Sequence, residues 1–202
     1  MAGKRIKASE RKQQIIEVAT SLFSSHSFEK VTMGMVAVAC EITEPALYRH
    51  FSSKENLYEE VLGALSRKVD TAELTEEVKR STDIEQILFL VANHILSNNL
   101  KQTELSRLLL YASLEKHTMA RQVFAAVRMP YIELLIKAFE RLMEAGLIRQ
   151  VNPVITARCF VGMVMDCAVS KNLWGNIQGK KFQVKEVVDN NVPIYAIGLR
   201  KE

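Results

Sequence analysis

Between Val31 and Phe51 the sequence VTMGMVAVACEITEPALYRHF places two helix starts eleven residues apart, and this spacing constrains the fold more than any other feature. Thr32 can cap the stretch MGMVAVAC, whose Val36, Ala37 and Cys40 are small and apolar. Thr43 can cap the next stretch, with Pro45 in the first turn, where its missing N–H is not needed. In front of them, RKQQIIEVATSLFSSH sets Ile15, Ile16, Ala19, Leu22 and Phe23 on one apolar stripe, ended by a serine-rich cluster. Behind them, Ser53 can cap KENLYEEVLGALSRKV, with Leu57, Tyr58, Val61, Leu62 and Leu65 as its buried stripe. Residues 10 to about 50 thus hold three helices, the last two very short and joined by about three residues, the pattern of a helix-turn-helix.

Helical geometry then sorts the third helix. Leu47 and Phe51, at i and i+4, point one way and plug the small core, while Pro45, Tyr48 and Arg49 lie on another face and are left outward. A helix of about seven residues spans about 10 Å, close to the width of a DNA major groove. Its first turn carries unpaired N–H groups suited to phosphate oxygens. Phosphates can also be held by hydroxyls and flanking helix ends, which leaves small groups to approach base edges. Pro45 and Ala46 suit thymine methyls, and Glu44 suits a cytosine amine.

The run VTMGMVAVACEITEPALYRHFSSKENL, residues 31 to 57, resembles the DNA-binding signature of TetR-type (tetracycline-repressor-like) transcriptional regulators. The resemblance rests on Thr32, Ala37 to Cys40, Thr43, Leu47, Tyr48, His50, Phe51 and Lys54, and covers roughly residues 10 to 60. It implies phosphate contacts for Thr32, Tyr48, His50 and Lys54, with Thr43, Glu44, Pro45 and Ala46 near the bases; Arg49 joins the DNA-binding candidates by its place on the outward face. Two residues depart from the pattern. Glu41 stands where such proteins carry glycine in the turn, so the backbone there avoids positive φ or accepts strain of about 1 kcal/mol. Glu44 sets a second carboxylate beside the phosphates, which costs affinity unless it reads a base amine.

Composition sets the wider frame. The chain has 202 residues, 48% of them hydrophobic and 25% charged, enough for a core that needs neither disulfide nor metal. No apolar run is expected to reach the roughly 20 residues of a membrane span, and MAGKRIKASERK lacks a signal peptide's apolar stretch, so the expected location is cytoplasmic. Cys159 and Cys167 are about 12 Å apart by helical rise, too far to bridge or share a metal. Lys4, Arg5, Lys7, Arg11 and Lys12 form a basic arm suited to a polyanion, or a solvated terminus. With only 8 glycines, 4 prolines and no alternating runs, the expected fold is all-α.

The expected division is a DNA-binding domain over residues 1–52 and a larger helical regulatory and dimerisation domain over 53–202, linked by the helix from 53. In the second part Ser81 or Thr82 caps a helix with Ile84, Ile87, Leu88, Val91 and Ile95 as its stripe, and TELSRLLLYASLEKH follows. A long pattern from Met119 to Ala145 is closed by Gly146 and interrupted or bent by Pro130. Asn152 and Pro153 start a helix ending at Trp174, and Asn190, Asn191 and Pro193 predict a broken or kinked last segment.

The helix from Pro153 to Trp174 is apolar nearly all round, so it needs cover that a homodimer provides; Phe160, Gly162, Met165, Val169 and Trp174 are the interface candidates. The resemblance likewise implies a two-fold interface of the last two long helices. Two reading helices then sit about one duplex turn, 34 to 36 Å, apart or somewhat more, matching a palindromic operator in double-stranded DNA. His94, Tyr111, Phe124, Tyr131, Met163 and Asp166 are candidates for contacting a mostly apolar small-molecule effector, although aromatic and methionine stripes also serve as core. Release of DNA on ligand binding is what the resemblance implies.

The rival readings are a small helical enzyme and a protein-interaction module using the C-terminal pocket. Ser27 to Lys30 and Ser113 to Lys116 each fit S-x-x-K without partner motifs, and GNIQGKK lacks the spacing of a phosphate loop. The four histidines show no metal-ligand spacing, so no metal and no cofactor is expected.

Overall fold

The computed structural model describes residues 8–66, 70–99, 103–114, 120–174 and 183–201. Lys4, Arg5, Lys7, Met119 and the GNIQGKK segment lie outside these, as do the side chains of Leu65, Leu109 and Trp174. Among the described residues the fold is all-α: ten α-helices, one short 3-10 turn and no strand, with a lone bridge pairing Ile148 and Arg200. The chain forms two compact units, one of residues 1–68 with 107–124 and one of 69–106 with 125–202.

In the first unit α1 (Ala8–Ser25) buries Ile15, Ile16, Ala19 and Phe23, and α2 (Met33–Ala39) adds Met33, Val36 and Ala37. Leu22 is only half-buried; Thr20 and Ser24 turn inward instead, their hydroxyls donating to the Ile16 and Ser21 carbonyls. α3 (Glu44–Tyr48) follows, and α4 (Lys54–Ser66) closes the unit with Leu57, Tyr58, Val61 and Leu62 buried. Phe23, Phe28 and Tyr58 meet as a ring cluster, with centroids 4.8 Å apart for Phe23–Tyr58 and 4.9 Å for Phe28–Tyr58. Burying each such side chain stabilises by about 1.5 to 3 kcal/mol, which holds helices too short to persist alone.

In the second unit α6 (Ile84–Asn99) is central, packing against α9 (Pro153–Trp174) and α10 (Val184–Leu199). Its expected stripe, Ile84, Ile87, Leu88, Val91 and Ile95, is buried throughout. The cap sits later than the sequence suggested: Asp83 Oδ1 accepts from the Glu85 N–H, while the Ser81 hydroxyl accepts from the Asp83 N–H and stabilises the approach. Before it runs a helix the sequence reading passed over, α5 (Ala72–Arg80), burying Leu74 and Val78. Arg141 ties its end down, Nη2 donating to the Val78 and Ser81 carbonyls at 3.0 and 2.8 Å.

α7 (Thr103–Leu114) and α8 (Ala120–Glu144) each contribute residues to both units. Pro130 does not interrupt α8, and Pro193 does not break α10. Each proline removes one backbone donor, but the flanking turns are held by burial, Tyr131, Leu134 and Leu135 in α8 and Val188, Val192 and Ala196 in α10. α8 closes at Gly146, φ 68°, with Gly146 N–H donating to the Met143 carbonyl and Leu147 N–H to Leu142. Asn152 caps α9, its Oδ1 accepting from Ile155 N–H at 3.0 Å.

α9 departs from expectation in two ways. By length and composition alone its Pro153–Ser170 stretch is apolar enough to cross a membrane, where no run of that kind was expected. It also has an inward stripe, Ala157, Phe160, Val161, Val164, Met165 and Ala168, buried within this chain. Phe160 packs edge-on to Tyr195 of α10, centroids 5.1 Å apart. Phe160 and Met165 are therefore core residues, a correction to their assignment to a dimer interface.

Candidate nucleic-acid interface

The interface is assembled by two capped turns. Thr32 Oγ1 accepts from the Met35 N–H at 3.1 Å and starts α2; Thr43 Oγ1 accepts from Ala46 N–H at 3.4 Å and starts α3, with Pro45 in its first turn. Between them α2 ends with Glu41 at φ 54°, Glu41 N–H donating to the Val38 carbonyl and Ile42 N–H to Ala37. This is the same closure that Gly146 gives α8, made here by a residue with a Cβ.

α3 is five residues long, shorter than the seven expected, because Arg49 already acts as its C-cap. Leu47 (0% exposed) and Phe51 (1%) anchor it in the core, while Tyr48 is 49% exposed. Glu44, Pro45 and Arg49 are exposed with it, as are Thr32 and Thr43, and Ala46 and His50 are half-buried. The geometry thus brings Pro45, Tyr48 and Arg49 to the outside of the unit as the helical projection predicted, on a helix fixed by two buried side chains.

Several basic residues are employed within the unit. Lys54, half-buried, donates from Nζ to the Phe28 carbonyl at 3.0 Å and lies 4.3 Å from the centre of that ring. Lys12 bonds Glu60 at 2.7 Å and lies over Phe51, so it pins α1 to α4 and is no part of a loose arm. Ser53 caps α4 through the Asn56 N–H.

One residue at this surface escaped the sequence reading. An ideal Cβ on Gly34, in the first turn of α2, would stand 2.6 Å from Glu44 Oε1 and 3.7 Å from Thr32 Oγ1. The Glu44 side chain is therefore folded back from α3 onto α2, and the missing side chain at Gly34 makes room for it. A glycine inside a short helical pattern was the available signal.

The effector candidates are divided between the two units. In the second unit His94 and Tyr131 do meet, Nδ1 to hydroxyl 3.0 Å, with Tyr131 buried and His94 half-buried. Burial holds the His94 pKa below its usual range, against the opposing pull of Asp70, Glu73 and Glu77. Asp166 is exposed; burial lowers the Arg128 pKa and the Asp166 charge opposes that shift. Met163 is half-buried on α9, whereas Tyr111 and Phe124 fall in the first unit, half-buried and exposed. Two grooves in the second unit lie elsewhere. One of about 450 Å³ runs between α5 and α8 past Thr75, Lys79, Pro130, Lys137 and Arg141, and one of about 490 Å³ runs between α6 and α10 past Phe89 and Val192.

Of the interface candidates, Gly162 and Val169 remain half-buried on α9. Among the described residues, the large apolar side chains that the last two helices expose are others: Val154 and Ile155 on α9, Ile194 and Ile197 on α10. A Cβ added at Gly162 or Gly198 would meet nothing within 4 Å. Cys159 is exposed along the Ile155 stripe. Among the described residues no group of histidine, cysteine and acid side chains forms a metal site.

Comparison with known proteins agrees with the geometry. The family described as "Bacterial regulatory proteins, tetR family" matches residues 15–61, and "AefR-like transcriptional repressor, C-terminal domain" matches residues 89–196. The chain is 27% identical over 135 residues to the HTH-type transcriptional regulator AcrR of Shigella flexneri, covering 67% of this chain and 62% of that protein. It spans less than two thirds of the first relatives it matches, 62%, 66% and 39% of their lengths. A putative TetR-family regulator from Mesorhizobium loti shares the fold with a TM-score of 0.71 at 18% identity, over 98% of this chain and 100% of that one. AibR, solved with isovaleryl coenzyme A and operator DNA, gives 0.67 at 23% identity over 92% of this chain and 97% of its own. With the second family description covering more than half of its length, the chain belongs to the tetR family of bacterial regulatory proteins.

Proposed function

We propose that the chain is a transcriptional repressor that binds a palindromic operator as a homodimer and leaves it when a small, largely apolar molecule binds the second unit. The observation that carries the reading is α3: two buried anchors, Leu47 and Phe51, hold a capped helix whose Pro45, Tyr48 and Arg49 stand in solvent. Such a helix enters a major groove, with Thr43 to Ala46 at base edges and Thr32, Tyr48, His50 and Lys54 toward phosphates. Lys54 reaches a phosphate only by sharing its ammonium with the Phe28 carbonyl. Family membership sets aside the enzyme reading.

The homodimer is supported by the exposed stripes of α9 and α10, Ile155 with Cys159 and Ile194 with Ile197, and by the open space over Gly162 and Gly198. A four-helix interface built from these two helices and their two-fold copies would bury them. For the effector, the His94–Tyr131 pair offers a polar tip in an apolar setting, and AibR, a structural neighbour, has been solved with both an acyl coenzyme A and operator DNA. The ligand must prefer the dimer that does not fit DNA, with a coupling of about 1 to 3 kcal/mol.

The test is selection of bound duplexes from a random pool. The expected product is an inverted repeat with half-site centres about one helical turn apart or somewhat more, lost as salt rises. Recovery of no duplex, or of unrelated sequences without symmetry, would overturn the reading.

A further inference from the structure

Glu44 sits at the tip of the proposed reading helix, yet its carboxylate is turned away from the position the sequence assigned it. Oε1 and the Thr32 hydroxyl flank one point above Gly34, 2.6 and 3.7 Å from it, well inside the Debye length of about 8 Å at physiological salt. Thr32 Oγ1 accepts from the Met35 N–H, and its O–H is still available as a donor for an anion such as a phosphate oxygen. A phosphate received there stands close to the Glu44 charge. Among the described residues no cation is paired with Glu44 to cancel that charge.

Resting on the DNA-binding reading above, we propose that Glu44 is a specificity-determining residue that works by repulsion. In the folded-back position its carboxylate opposes a phosphate on Thr32, whatever the sequence of the DNA. A site that offers a hydrogen-bond donor in the major groove, a cytosine amine, draws the carboxylate forward off Gly34 and frees Thr32 for the backbone. Non-cognate DNA keeps the repulsion; cognate DNA removes it. This form of selection penalises the wrong partner in addition to rewarding the right one. Gly34 belongs to the same device, because any side chain there would occupy the resting place of the carboxylate.

Two variants act on it in opposite directions. Glu44→Gln keeps the shape and removes the charge. Gly34→Ala keeps the charge and evicts the carboxylate, and because the atom in the way is the far end of a flexible side chain in an alanine-tolerant helix, the variant folds. The measurement is the affinity of wild type and both variants for the duplex recovered by selection and for a scrambled duplex of equal composition. With Glu44→Gln, binding to the scrambled duplex tightens roughly three- to fivefold per half-site, from the Coulomb term at this range in water. The selected duplex gains less, so the ratio falls, and repeating the selection loses a cytosine preference at one position in each half-site. With Gly34→Ala the selected duplex gains more than the scrambled one and the ratio rises, since the carboxylate no longer has to be moved. An unchanged ratio in Glu44→Gln, or a ratio that moves in the same direction in both variants, overturns the proposal while leaving the DNA-binding reading standing. A wild type that binds neither duplex overturns that reading and the proposal with it.

Discussion

Glu41 carries a left-handed backbone, φ 54°, at the close of α2, where a Cβ costs about 1 kcal/mol. Glu41→Gly is expected to stabilise the chain by about 0.5 to 1 kcal/mol in urea titration, because glycine adopts the same left-handed turn without the cost of a Cβ. The departure from glycine was legible in the sequence; its outcome was not, because the donations of Glu41 and Ile42 to Val38 and Ala37 exist only once the turn is packed. His94 gives a second prediction. Burial lowers its pKa from the ordinary 6.5, so the folded chain holds the ring neutral where the unfolded chain begins to take up a proton. This stability is fully present above about pH 6.5 and drains as pH falls from there toward the lower folded pKa. The urea midpoint should therefore drop between pH 7 and 5, and drop less in His94→Gln; a midpoint with equal pH dependence in both proteins would contradict the assignment. The residue pairing itself, His94 with Tyr131, could not be read from positions 37 apart in sequence.

At the scale of elements, chemistry confined to one turn was readable and chemistry spread over the core was not. Thr32, Thr43, Ser53 and Asn152 cap where the sequence placed them, since a cap needs only its own side chain and an N–H three residues on. The two interior prolines do not break their helices: the sequence shows the lost donor but not the packing that offsets it. Pro193 lies in α10 between Val192 and Ala196, both buried, and the helix runs on to Leu199. Replacing it restores a donor in mid-helix, so Pro193→Ala should raise stability by about 1 to 3 kcal/mol with the helical circular dichroism retained. Loss of stability would show that the ring itself is a packing group. α5 was missed because its apolar contribution is just Leu74 and Val78, one i,i+4 pair among seven other residues that mostly face solvent.

For the molecule as a whole, the helix from Pro153 was singled out as apolar nearly all round, but two of the side chains expected on its outer face lie inside. Phe160 and Met165 serve the core of the second unit, and Ile155 and Ile197, 60% and 64% exposed, are left outside. Which apolar face of a two-sided helix turns inward depends on where α6 lies, and no local pattern states that. On the proposed homodimer, Ile197→Asp should halve the mass seen by sedimentation and weaken binding to the selected duplex by at least about tenfold, since each half-site would then be held by one reading helix alone. An undisturbed dimer in that variant would move the interface elsewhere. The central claim, that the outward face of α3 reads DNA, is tested most directly by fluorescence anisotropy of wild type and Tyr48→Ala on the selected duplex across a salt series. The wild type is expected to bind tightly and with salt sensitivity, and the variant to lose at least about tenfold, with mass and stability unchanged. Equal binding by the two proteins at every salt concentration would contradict it.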